Sequence, residues 1–113
     1  MGPGLVRSVS VTDKRRFSSR RALLELLYGS RRVRAFLLCL EPGQGLPARP
    51  DSEEMVCYLV EGRATVTVGD QSLALSGGDL AAAGAGEVRG IEAQERTTAL
   101  WVHISAADGG PQA

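Results

Sequence analysis

The stretch that decides the fold runs from Gly43 to Ala93: GQGLPARPDSEEMVCYLVEGRATVTVGDQSLALSGGDLAAAGAGEVRGIEA. At its centre, Met55–Val60 is a continuous apolar run. Arg63–Val68 then alternates, with Ala64, Val66 and Val68 on one side and Arg63, Thr65 and Thr67 on the other. A period of two belongs to a strand with one buried face. Gly69-Asp70 is a tight hairpin turn, and Ser72–Leu75 returns from it. Gly77-Gly78-Asp79 and Gly84-Ala85-Gly86 punctuate two more short runs, Leu80–Ala83 and Val88–Ile91. Gly43–Pro50 reads as a loop, because its glycines and prolines interrupt any regular pattern.

The same grammar extends outward. Leu23–Tyr28 and Arg32–Leu40 flank Gly29-Ser30 and read as a hairpin. A helix from Ser18 to Gly29 is the competing assignment, since RRALLELL also suits helical spacing. Thr97–Ile104 supplies a last strand. Short strands with a turn signal every ~8–12 residues mean an all-β sandwich or barrel.

At 113 residues the chain is sized for one domain. Its 43% hydrophobic and 23% charged content is that of a globular protein, which excludes disordered, collagen-like and coiled-coil classes. No apolar run approaches the ~18–20 residues that span a bilayer, so no membrane partner is expected. Met1-Gly2-Pro3-Gly4-Leu5 lacks the pattern of a secretion signal, and the expected location is cytoplasmic. Twelve arginines against one lysine, with many alanines and glycines, fit a bacterial coding bias. Cys39 and Cys57 lie in apolar runs and are expected as buried thiols; they form no CxxC pair.

The formal net charge of zero conceals a split. Residues 1–34 carry nine basic and two acidic side chains, a balance of +7, and residues 35–113 carry four and eleven, a balance of −7. The basic half has no nucleic-acid recognition motif and few aromatic platforms, so no nucleic-acid partner is expected. Complementary charge instead suggests a segment, residues 1–20, that packs on the barrel or on a partner copy. Residues 21–105 would form the barrel, and 106–113 a flexible tail.

From Pro42 to Ala93 the chain resembles the cupin superfamily. The first cupin motif is a glycine, five residues, His-x-His, three or four residues, Glu, six residues and a glycine. Gly43 opens that spacing here, Arg49-Pro50-Asp51 stands at His-x-His, Met55 at the glutamate and Gly62 at the closing glycine. The second motif is a glycine, five residues, Pro-x-Gly, two residues, His, three residues and Asn. Gly78, Gly84-Ala85-Gly86, Arg89 and Ala93 occupy those places. The resemblance implies an all-β double-stranded β-helix, a jelly-roll barrel with an interior pocket, and a homodimer.

It also implies a metal, which the residues present do not favour. Arginine has no lone pair to offer, and methionine is a soft ligand unsuited to iron, manganese or zinc. Asp51 alone remains plausible. Glu54 is one residue from the glutamate place, and a one-residue shift turns a side chain to the other face. No metal and no cofactor are therefore expected. The pocket is expected to hold Arg49, Asp51, Met55, Cys57, Arg89 and His103, with Met55, Cys57 and Leu59 sharing an inward parity and Trp101 sharing that of His103. Arg49 and Arg89 would clamp a small carboxylate or phosphate in bidentate fashion. The expected protein is a metal-free, small-molecule-binding homodimer. Alternatives are a small isomerase or lyase working through Asp51, Glu54 or His103, and a non-catalytic sensor or interaction module. No catalytic residue can be assigned from sequence.

Overall fold

In the computed structural model of the chain, residues 7–106 are described. They form a short helix α1 (Val11–Lys14) and strands β1 (Leu23–Gly29), β2 (Val33–Leu40), β3 (Gly45–Pro50), β4 (Glu54–Glu61), β5 (Arg63–Val68), β6 (Gln71–Ser76), β7 (Leu80–Ala83), β8 (Val88–Ala93) and β9 (Thr97–Ile104). Two antiparallel sheets face each other, a five-stranded one in the order β1-β2-β9-β4-β7 and a four-stranded one in the order β3-β8-β5-β6. This is the all-β architecture expected from the strand spacing and the jelly roll that the resemblance implies. The tail expected at 106–113 lies, beyond Ala106, outside the described residues.

β1 and β2 are a hairpin and not a helix. Leu24 pairs with Leu38 and Leu26 with Phe36, so the leucines that suit a helical face alternate across a sheet. Ser30 closes the turn: its N–H donates to Val33 O at 2.8 Å, and its Oγ accepts from Val33 N at 3.0 Å. Cross-sheet burial of Leu38 and Leu40, both 0% exposed, outweighs local helical preference.

The segment Gly45–Pro50 is a strand where a loop was expected. It is an edge strand, paired with β8 alone, and its register slips between Leu46 and Arg49. A proline lacks the N–H a ladder needs but is tolerated on an edge or at a bulge. Gly90 makes the bulge possible: a Cβ there would lie 2.7 Å from Ala48 Cα. The result puts Arg49 directly opposite Arg89.

The core lies between the sheets. Met55, Cys57, Leu59, Val66 and Ala99 are each 0% exposed, and Trp101 is 3% exposed. The expected inward parity of Met55, Cys57 and Leu59 is met. Cys39 and Cys57 are free, buried thiols, and burial pushes the Cys57 thiol up to about 12.

A second, smaller cluster covers the outer face of β1 and β2. Leu27, Leu37 and Cys39 pack there against Val9, Val11 and Phe17. Ser10 caps α1, its Oγ accepting from Asp13 N at 3.2 Å. Lys14 reaches Glu25 at 2.9 Å, Arg15 pairs with Glu61, and the Arg96 guanidinium lies 4.5 Å from the Phe17 ring centre. The Lys14 hydrogen bond holds Glu25 below the ordinary carboxylate value. The described part of the basic segment, residues 7–20, thus packs on β1 and β2 of its own chain and reaches the acidic half through Arg15 and Glu61.

Candidate functional site

One end of the space between the sheets remains open as a cavity of about 280 Å³. The five-stranded sheet contributes Leu24, Arg34, Phe36, Trp101 and His103, and the four-stranded sheet Leu46, Pro47, Arg49 and Arg89. Asp51, in the turn between β3 and β4, closes the end. The cavity therefore has an apolar wall and a charged end. Of the six residues expected in a pocket, Arg49, Asp51, Arg89 and His103 meet here. Met55 and Cys57 sit instead in the close-packed core beneath it.

The two arginines differ in state. Arg49 is exposed on the edge strand. Arg89 is 4% exposed. Its Nε donates to Glu87 O at 2.8 Å, and its Nη2 donates to Glu53 O at 2.8 Å and Gly84 O at 2.9 Å, with Asp51 O at 3.4 Å. Arg89 is thus a strut joining the turn before β4 to the turn before β8. Its Nη1 is buried and has no hydrogen-bond partner. A guanidinium N–H left unpaired away from water is costly.

Glu53 and Arg34 were not singled out from sequence. Arg34 pairs with Glu53 and stands opposite His103 across β2 and β9. Glu53 Oε2 also accepts from Ser105 Oγ at 2.5 Å. The Ser105 hydroxyl, and after it Arg34, holds Glu53 below the ordinary carboxylate value. Asp51 is lowered too, chiefly because it accepts the Glu53 N–H at 2.9 Å. Glu54, by contrast, pairs with Ile104 on the outer face and takes no part. A Glu53–His103 contact has no fixed sequence spacing, since it joins a turn to the last strand.

His103 is held on both sides. Trp101 Nε1 donates to its Nε2 at 3.1 Å, which leaves the proton on Nδ1. Nδ1 lies 3.2 Å from Glu53 Oε1 but lacks the alignment of a hydrogen bond. The Phe36 ring meets it edge-on at 6.0 Å. Burial, reinforced by Arg34, lowers its pKa despite Glu53 and Asp51. At neutral pH the imidazole is therefore uncharged.

A family model described as a cupin domain matches residues 36–105. The chain belongs to the cupin domain family. Similar solved structures include a conserved protein of unknown function from Streptococcus pyogenes, SPY1581, at TM-score 0.81 and 16% identity over 90% of both chains. The protein TT1209 from Thermus thermophilus matches at TM-score 0.84 and 23% identity, over 88% of this chain and 98% of that one. An RmlC-like cupin from Desulfovibrio desulfuricans matches at 0.80 and 20%, over 88% and 96%. These likenesses concern the fold. No curated protein matches the chain.

The divalent ion that this cupin fold implies does not fit the residues present. The four family positions hold Arg49, Asp51, Met55 and Arg89. Asp51, Glu53 and His103 do bring ligand-type atoms within 4.8 Å of one another. However, Glu53 is taken by Arg34 and Ser105, and the His103 nitrogen nearest the carboxylates carries the proton. Three guanidiniums around the same cavity outweigh two carboxylates. That balance repels a cation.

Proposed function

We propose that this cupin binds a small anionic molecule, a carboxylate or phosphate, without a metal, and that binding and not catalysis is its activity. The observation that carries the reading is the buried Nη1 of Arg89, which has no hydrogen-bond partner, on a residue that lines one cavity together with Arg34 and Arg49. An anion there would supply the missing acceptor and neutralise the excess positive charge. The Glu53–His103 contact favours acid–base work, but Trp101 occupies the imidazole lone pair, so a binding role is the better fit. Self-association as a homodimer is part of the proposal. It rests on Tyr58 and Leu80, which pair across β4 and β7 and are 39% and 60% exposed.

Thermal melts with acetate, benzoate and inorganic phosphate test the anion reading. At ten times its Kd a ligand adds about 1.4 kcal/mol, or ~6 °C for a domain of this size. The Arg49→Ala protein should melt normally without ligand, because Arg49 is exposed, and should lose most of the shift. A full shift in Arg49→Ala, or none in the wild type, removes the reading.

The same titration carries a pH dependence. The folded protein disfavours protonated His103, so its contribution to stability is fully present above pH 6.5 and is lost as pH falls from there through the lower pKa of the folded state. A bound anion favours the protonated ring. Carboxylate binding should therefore tighten as pH drops below 6.5, and His103→Gln should flatten the profile. Affinity independent of pH in the wild type contradicts this placement of the ligand.

A further inference from the structure

We propose that the anion is the head of an amphiphile, a medium-chain aliphatic carboxylate, whose tail lies between the edges of β1 and β3. This rests on the anion reading and extends it. The inner face of the five-stranded sheet is built of cross-strand rows. One row runs Ala83, Met55, His103, Arg34 and puts charge at the cavity's end. The next runs Ala81, Cys57, Trp101, Phe36, Leu26, and it passes from 5% and 0% exposure in the core to 40% at Leu26. A third row ends on β1 at Leu24, beside Leu38, and Leu24 is 46% exposed while also lining the cavity.

At the far edge of the same sheet, β7 packs over β5 and its inward Ala81 and Ala83 are buried. Among the described residues no strand packs over β1 to a comparable extent, so two inward-facing leucines stay half wet at the mouth of a charged cavity. Core-facing leucines are ordinarily covered, and an uncovered apolar strip continuous with a pocket marks where a ligand lies. Successive rows are ~6.7 Å apart, which sets Leu24 roughly 13 Å from the Arg34–His103 row, the reach of a medium-chain carboxylate. The opposite lip is Leu46 and Pro47 of β3, also apolar.

Trp101 is the protein's only tryptophan, is 3% exposed and lines the cavity, so its fluorescence reports occupancy directly. The experiment titrates acetate, butyrate, hexanoate, octanoate and decanoate, below micelle-forming concentrations, and monitors molecular mass in parallel. Affinity should rise about two- to four-fold per added methylene. Leu24→Ser and Leu26→Ser, at exposed edge positions, should fold normally and flatten the gain with chain length, and Leu26→Ser, outside the cavity lining, should keep the acetate affinity. Acetate binding that depends on Arg49, with no gain from longer chains, overturns the tail and leaves the anion reading intact. A chain-length gain unchanged in both leucine variants overturns the tail as well. A change of mass in those variants without loss of the gain assigns the leucines to a second copy and also overturns it. Failure of every carboxylate to bind overturns the tail, and failure of inorganic phosphate as well removes the anion reading itself.

Discussion

The Arg89→Ala protein is expected to lose about 3–4 kcal/mol of folding stability, lowering its melting temperature by roughly 13–17 °C. Arg89 donates to Glu53 O, Gly84 O and Glu87 O at 2.8–2.9 Å from a position 4% exposed. Hydrogen bonds from a charged donor are worth ~1.5–3 kcal/mol each, and truncation leaves buried acceptors without partners. The effect stays below the sum of the three because water enters the space left by the side chain. Arg89→Lys should recover only part of the loss. A compact ammonium cannot span carbonyls on two turns as the planar fork does. Denaturant midpoints check this, and a loss under ~1 kcal/mol for alanine would show that the strut is not structural. A binding defect in an Arg89 variant therefore mixes folding with recognition, which is why Arg49 carries the ligand test.

Gly62→Ala should be comparably severe, at about 3–5 kcal/mol. Gly62 closes the first cupin motif at φ +100°, where a side chain is strained, and a Cβ would stand 2.3 Å from Arg96 O and 2.7 Å from Thr97 Cα. Both are backbone atoms of the turn into β9 and cannot swing aside. Gly78 is the matched control: its φ is +98°, yet nothing lies within 4 Å of its Cβ position. Gly78→Ala should cost only the conformational strain, about 1–2 kcal/mol. Equal losses in the two proteins would contradict the clash.

Most of the architecture was legible in the chain. The alternation at Arg63–Val68, the Gly69-Asp70 turn and the continuous run Met55–Val60 became, in that order, a strand, a turn and a strand buried on one face. Side-chain periodicity and turn chemistry are local properties, so neighbouring residues suffice to reveal them. Gly45–Pro50 escaped because its strand character comes from its partner. β8 supplies the ladder, and Gly90 supplies the room for the bulge.

The candidate site divides the same way. The cupin spacing by itself determined that Arg49, Asp51, Met55 and Arg89 stand where metal ligands would, and so that Asp51 is the one donor left there for the usual ion. Only the tertiary structure decided that Arg89 spends its fork on backbone carbonyls and leaves one nitrogen unpaired. Glu53 and Arg34 are 19 residues apart, and Glu53 and Ser105 are 52 apart. No local pattern encodes such contacts, because they exist only once two sheets have closed on each other. The charge split ends likewise. Sequence arithmetic set +7 against −7, and folding brought Arg15 to Glu61 and Arg34 to Glu53, since opposite charges gain most where the chain returns upon itself.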